Sequence, residues 1–529
     1  MPEGLRMFSA YLRDAGYYAT NNSKKDYNAI EGPGVWDESS KKASWRNRPK
    51  KNQPFFHMQS HAQSHESSLH FNRATYDNEK TQEDPAVVKL ADYFPDTPLF
   101  RYTHARYHDK MTVIDGIVGD TVAKLKEDGL LEDTFIFYFG DHGGVMPRGK
   151  GYIYESGLHV PLVIRVPKNF KHLADGEMGE RMKGFVNFID FGPTVLNLAG
   201  VDIPKQVDGV PFLGAGIESK EVNQRDETFG YADRFDEKYD LLRSVRKGKF
   251  QYIRSYQPHL PDGLENIYRY KMLAYEEWRE LFESGKLKSP QNQFFKAKSV
   301  EMLFDCEADP YQVKNLAEDP KYSDILKGLR LRLQTIVKGL PDLSFYPESY
   351  LVTHALKNPT AFGQEHKKEI SHLIDIADLQ LLPYAEAKEN IVKALKSENA
   401  MERYWGAMVC TAFGDKAVEL TDTVEPLLGD VSNPVRVRAA EFLGLIGKIN
   451  PQTVLTEIVN TTELEVEAVE ALNSVVWFKD FFNDKYPVER ADFKPKSLAG
   501  DVGDRLNYIN GIPYPPKAKN KKKRKKSAL

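Results

Sequence analysis

FIFYFGDHGGVMPRGKGYIYESGLHVPLVIRVP, residues 135–167, is the stretch on which the reading of this chain turns. Phe135 to Phe139 is a continuous apolar run of strand length, the pattern of a central strand covered on both faces. Asp141 and His142 follow at once, and the carboxyl end of a strand is where an open α/β sheet places its ligands. A carboxylate beside an imidazole, with Lys150 a few residues on, suits a divalent cation and an anion held side by side. Beyond the glycine-rich loop, residues 160–166 read as a second buried strand.

Residues 105–128 carry helical periodicity in Tyr107, Met111, Ile114, Val118, Val122 and Leu125, and Gly129 stands where a helix stops. Downstream, residues 185–190 and Pro193 to Gly200, which ends in Leu-Ala-Gly, resemble a strand and a helix of the sulfatase family of the alkaline-phosphatase superfamily. Residues 243–246 and 250–254 resemble the strands of that family's smaller C-terminal sheet, and 303–305, Asp309-Pro310 and Asn315-Leu316 resemble its close. Taken in this order, the motifs resemble the sulfatase family of the alkaline-phosphatase superfamily over roughly residues 1–345.

The resemblance implies an α/β fold: an alkaline-phosphatase-like mixed sheet sandwiched by helices, with a small C-terminal sheet subdomain. It implies hydrolysis of a sulfate ester or N-sulfate, of a carbohydrate or a small molecule. By the family's pattern, Asp141 and His142 are metal ligands, for Ca2+ or alternatively Mg2+, and Lys150 contacts the sulfate. Lys24 stands where many members carry an active-site lysine, with Lys25 as its neighbouring alternative, and Asp26 replaces the usual histidine. Pro54-Phe55-Phe56 opens a segment ending in Ser64-His65-Glu66-Ser67, which makes His65 a leaving-group acid or a sulfate contact. His57, His61 and His70 lack such support and read as structural.

Family members begin with two adjacent metal-binding aspartates and a Cys/Ser-x-Pro-x-Arg motif whose first residue becomes formylglycine, the nucleophile. Here Gly4 to Tyr17 resembles the helix that follows both features, so an N-terminally truncated member is expected, with no nucleophile and no formylglycine in this chain. Cys306 and Cys410 lie in other contexts, and Ser432-Asn433-Pro434-Val435-Arg436, a literal match, sits inside a helical repeat. The residue types suit the chemistry. Sulfate ester hydrolysis needs its oxygens neutralised by a cation and lysines while charge moves to the leaving oxygen.

At 529 residues and 41% hydrophobic, the chain has apolar material for two or three domains. Its net charge of −3 gives no global attraction to nucleic acid, and two distant cysteines exclude a disulfide scaffold or zinc ribbon. No apolar run approaches the roughly 18–20 residues that span a bilayer. Met1-Pro2-Glu3-Gly4 shows no signal peptide, and a periplasmic or secreted location is expected of a full-length family member.

Residues 402–414 and 435–447 align at an offset of 33, sharing Arg403/Arg436, Ala407/Ala440 and Gly414/Gly447, and 463–475 is a weaker third copy. They resemble HEAT repeats and suit a docking surface. The basic run Lys517–Lys526 reads as a disordered, solvated tail, with attraction to polyanions as the alternative. The expected division is a core over 1–230, a sheet subdomain over 231–345, helical repeats over 346–485, and a linker with basic tail over 486–529. Two other functions fit the same residues: a phosphodiesterase or phosphonate hydrolase of the superfamily, and a non-catalytic binding protein that uses its repeats.

Overall fold

The computed structural model describes residues 4–27, 29–482, 485–498 and 500–511, so the basic tail lies outside the described residues. By contacts the chain divides into two compact units. The first comprises Met1–Asp233, Asp240–Asp262 and Glu277–Asp375; the second comprises Arg234–Tyr239, Gly263–Glu276 and Ile376–Leu529.

The first unit is α/β. Strands β1 (Tyr18–Asn22), β2 (Glu38–Ser39) and β3 (Phe55–Gln59) form a parallel sheet in the order β2-β1-β3. Thr20 pairs with Glu38 on one side and with His57 on the other. Ala19, Thr20 and Asn21 are wholly buried, as the middle strand of a covered sheet requires. The helix Phe8–Asp14 buries Ala10 and Leu12, and Phe8 meets Phe56 edge-on at 5.3 Å. All three parallel strands point their carboxyl ends the same way, which sets where side chains for binding gather.

The long helix spans Pro98–Glu127. Thr97 caps it by accepting the Phe100 N–H, Pro98 occupies its first turn, and Gly129 (φ 70°) ends it, with Leu130 N–H bonded to the Leu125 carbonyl. On this helix the half-buried His104 ring meets His108 edge-on at 4.7 Å. Burial, and then the neighbouring His108, push the His104 pKa down to about 4. A depressed histidine favours the neutral folded form. Its stabilising contribution is therefore complete above pH 6.5 and is lost as pH falls toward about 4. The urea midpoint should fall across that window, and His104→Gln should flatten the fall; an unchanged slope in the variant would contradict this.

Strands β4 (Ile136–Phe139) and β5 (Leu162–Arg165) form an antiparallel pair, with Phe137 opposite Ile164. The expectation of two fully buried strands is corrected here. Phe139 is 39% exposed and Val163 61% exposed. Among the described residues each strand has a single hydrogen-bonded neighbour. Phe191 and Phe212 cover Phe137, and Phe188 and Phe191 cover Phe139. An apolar run reports hydrophobicity, and burial needs a second layer as well.

A second correction falls on residues 185–190. They hold a 3-10 turn, Phe188–Asp190, where a strand was expected. Asn187 accepts the Asp190 N–H and the Asp190 carboxylate accepts the Asn187 N–H, a reciprocal capping box that starts the helix Phe191–Leu198. The smaller sheet is antiparallel: β6 (Glu227–Ala232), β7 (Leu242–Lys247), β8 (Phe250–Ser255) and β9 (Glu301–Asp305), in that order. The helix Ser323–Gly339 lays Leu326, Leu329, Leu333 and Val337, one helical stripe, against it.

The second unit is helical, with main helices Tyr384–Leu395, Ala400–Phe413, Asn433–Leu445, Pro451–Thr461, Glu465–Phe482 and Gly500–Ile509. Gly414 (φ 55°) and Gly447 (φ 73°), the repeated glycines of the sequence, both take the left-handed backbone just past a helix end. The repeated arginines differ in partner: Arg403 grips Asp430 in two bonds of 2.7 and 2.9 Å, while Arg436 pairs with Glu457 at 2.9 Å. Arg505, fully buried, donates to the Glu265 carboxylate (2.9 Å) and to Asn473 (2.7 Å), and so ties the excursion 263–276 into this unit.

Candidate functional site

Side chains from the carboxyl ends of β1 and β3 and from the loop after β4 converge. Lys24 follows β1 by two residues, and its Nζ lies 3.9 Å from Asp141 Oδ2 and 3.3 Å from Asp26 Oδ2. Asp141 Oδ1 stands 3.6 Å from His142 Nε2. Lys150 Nζ lies 3.6 Å from Oε2 of Glu66, a buried carboxylate adjacent to His65. His65 feels the charges of Lys150, Lys24, His142 and Asp141. All five residues singled out in the sequence therefore share one electrostatic neighbourhood, and both lysines stand beside carboxylates that anchor them.

The loop that carries three of the five is made by its glycines. A Cβ on Gly143 would lie 1.9 Å from the Ser156 carbonyl oxygen, one on Gly149 1.9 Å from that of Gly144, and one on Gly157 2.1 Å from that of Tyr152. Such approaches are open only to glycine. The bare backbones then hydrogen-bond: Gly143 N–H to the Gly157 carbonyl, and Lys150 N–H to that of Gly144, both 2.8 Å. Arg148 fastens the loop from beneath. Its guanidinium lies 3.6 Å over the Tyr154 ring and donates to the Tyr311 and Gln312 carbonyls at 3.0 and 2.9 Å.

Tautomers follow from the neighbours. The Ser67 N–H donates to His65 Nδ1 at 3.2 Å, so in the neutral ring the proton sits on Nε2. Burial first, then Lys150 and Lys24, lower the His65 pKa and keep the ring neutral. A neutral ring with its proton on Nε2 is a hydrogen-bond donor toward an anion. His142 Nδ1 lies 2.8 Å from the Gly143 carbonyl oxygen, which can only accept; that contact places the proton on Nδ1 and leaves the Nε2 lone pair facing Asp141. Burial is the main cause of the lowered His142 pKa, which also favours the neutral, ligating form.

Asp141 and His142 Nε2 thus fit one edge of a divalent cation's shell. Among the described residues no group of three or more His, Cys, Asp or Glu forms a closed cage. Calcium takes about 6–8 ligands, nearly all oxygen; Asp141 offers carboxylate oxygens and His142 a nitrogen, so this pair supplies a minority of the shell.

Four residues at the site went unread in the sequence. Glu66, the counter-ion of Lys150, and Ser67, which orients His65, lie inside a run already singled out, where a carboxylate beside an imidazole was the available signal. Arg148 sits within Pro-Arg-Gly-Lys-Gly, and its stacking partners are remote in sequence. Asn21, which donates to the Lys24 carbonyl at 3.0 Å, leaves no sequence signal. Neither cysteine enters the site: both are buried, Cys306 with its thiol pushed up to about 12 by burial and Cys410 raised by the same cause.

A family model described as Sulfatase matches residues 6–201, and one described as N-sulphoglucosamine sulphohydrolase, C-terminal, matches residues 140–263. An ulvan-active sulfatase of Formosa agariphila is 35% identical over 384 residues, which cover 66% of this chain and 62% of that protein. The N-sulphoglucosamine sulphohydrolase of Homo sapiens is 23% identical over 271 residues, covering 47% of this chain and 50% of that one. A multifunctional alkaline phosphatase superfamily protein, PehA of Trinickia caryophylli, is 28% identical over 235 residues, covering 43% and 38%. The chain spans less than two thirds of each of these relatives.

Proposed function

We propose that this chain, whose residues 6–201 match the family model described as Sulfatase, is a hydrolase of that family whose site takes the sulfate group of a sulfated carbohydrate, as ester or N-sulfate, for hydrolysis. The convergence of Lys24, His65 and Lys150 beside Asp141 and His142 is the observation that carries this reading. Lys24 and Lys150 neutralise the sulfate oxygens, and His65 donates its Nε2 proton in a hydrogen bond to one of them. Of the two roles open to His65 in the sequence, its lowered pKa favours the sulfate contact over the leaving-group acid. Asp141 and His142 would hold a divalent ion, for which calcium is our assignment; such an ion would supply Lewis-acid stabilisation of charge on the sulfate.

An ulvan-active and an N-sulphoglucosamine-active relative both point to sugar-borne sulfate as the substrate class. No described cysteine reaches the site, so the group that attacks sulfur is left unassigned. The test is binding first. Titration of the 529-residue chain with glucose 6-sulfate should show saturable binding, and Lys150→Ala should weaken it about tenfold or more, the worth of one charge-assisted hydrogen bond. Unchanged affinity in that variant would overturn the assignment. Formylglycine-dependent turnover by this same chain would show that a described residue does supply the nucleophile.

A further inference from the structure

Lys41-Lys42-Ala43-Ser44-Trp45-Arg46-Asn47-Arg48-Pro49-Lys50-Lys51 places six basic residues and no acidic one in eleven positions, within a chain whose net charge is −3. The segment links the carboxyl end of β2 to the start of β3. Its backbone is held firmly. The Asn22 side chain donates to the Lys41 and Ala43 carbonyls at 3.2 and 3.1 Å, and Asn47 donates to the Lys42 carbonyl at 3.0 Å. Arg48 donates to the Trp45 and Lys51 carbonyls at 2.7 and 2.6 Å, while buried Trp45 bonds Asp128 at 2.7 Å.

The charges divide into two groups. Arg46 is spent on Glu127 and Asp128, both at 2.8 Å, and Arg48 on its own loop. Lys41, Lys42, Lys50 and Lys51 are exposed, and among the described residues no ion pair joins them to a carboxylate. Lys41 and Lys42 stand at the carboxyl end of the parallel sheet, tied to Asn22, two residues from Lys24. Lys50 and Lys51 stand toward the other end, where the Pro54 carbonyl accepts the Tyr18 N–H. Between these two ends β1 runs about 13 Å from Tyr18 to Asn22, at roughly 3.3 Å per residue.

We propose that this segment is an extended subsite for a polysulfated polysaccharide, running outward from the pocket that takes the sulfate to be removed. The proposal rests on the reading of that pocket and deepens it: the substrate is a chain with several sulfates, because a single sulfated sugar would leave all four lysines without a partner. Free ammonium groups on a preorganised backbone bind a polyanion by releasing its counterions, and affinity then falls steeply with salt. A single-stranded nucleic acid is the less suited polyanion. It binds through exposed aromatic faces, and the only aromatic ring in the segment, Trp45, is 4% exposed beneath it.

The full chain carrying Lys41→Gln, Lys42→Gln, Lys50→Gln and Lys51→Gln tests this against dextran sulfate and glucose 6-sulfate. The expected result is a loss of about tenfold or more in affinity for dextran sulfate near physiological salt, with a flatter salt dependence. Affinity for glucose 6-sulfate and the urea midpoint should stay as in the parent. Unchanged dextran sulfate binding would overturn the proposal. So would binding that disappears only when Lys517–Lys526 is neutralised, or an equal loss for single-stranded DNA of matched charge. If the parent fails to bind glucose 6-sulfate while dextran sulfate still requires the four lysines, the patch stands and the sulfate pocket falls.

Discussion

Gly149→Ala should lose about 2–4 kcal/mol of stability and, with it, sulfate binding. The added carbon would stand 1.9 Å from the Gly144 carbonyl oxygen and 3.0 Å from that of Met146. Both obstacles are backbone, so no side chain can swing aside, and the loop itself must move. Movement there breaks the 2.8 Å bond from Lys150 N–H to the Gly144 carbonyl and carries the Lys150 ammonium away from Glu66. Gly116→Ala is the contrast. It lies inside the helix Pro98–Glu127 with nothing within 4 Å of its Cβ position, and alanine there should add roughly 0.5–1 kcal/mol. Urea midpoints for the two variants should move in opposite directions. A Gly149→Ala protein with parental stability would show that the loop is looser than its close contacts indicate.

Arg438→Ala should be the most damaging single change in the helical unit. Arg438 is buried on the helix Asn433–Leu445 and donates to Glu441 at 2.6 Å and to Glu470 at 2.7 Å; both of these are buried as well. Ser474 Oγ donates to Glu441 too. Removing the cation strands two carboxylates in the interior, at a cost of about 3–5 kcal/mol. Burial already holds the Glu470 pKa above its ordinary value, with Arg438 opposing the rise. Without Arg438 it rises further, so the folded variant favours the protonated acid. A raised carboxylate pKa contributes stability that is lost as pH climbs above 4.5. The deficit of Arg438→Ala should therefore be largest at neutral pH and shrink toward pH 4.5, and a deficit independent of pH would contradict the account. Replacing all three residues by apolar ones of similar volume should recover most of the loss.

What the sequence made legible follows a physical divide. Local chemistry was readable at Gly129, a helix stop; the repeat pair Gly414 and Gly447 was visible as a pair, while their left-handed backbone and the touching backbones of the glycine loop came only with the structure. The family resemblance picked out five candidate residues, and they lie near one another because they follow strands whose carboxyl ends gather on one side. Burial was less readable. Phe135–Phe139 is strand-forming and apolar, yet Phe139 is 39% exposed, since cover depends on elements that pattern alone does not supply. Residues 185–190 failed for a local reason, because the Asn187 and Asp190 side chains offer the backbone a helix start in place of a ladder. The short excursions 234–239 and 263–276 into the helical unit were invisible, being held by buried polar contacts such as Arg505 to Glu265 that have no periodicity.

The central claim is that Lys24, His65 and Lys150 together receive a tetrahedral oxyanion beside Asp141 and His142. Selenate has the shape and charge of sulfate and scatters anomalously, so crystals of the chain soaked in it would locate the anion directly. The account predicts an anomalous peak within hydrogen-bonding distance of Lys24 Nζ, His65 Nε2 and Lys150 Nζ, lost in Lys150→Ala. Selenate bound elsewhere with that pocket empty, or a peak there indifferent to the loss of Lys150, would contradict it.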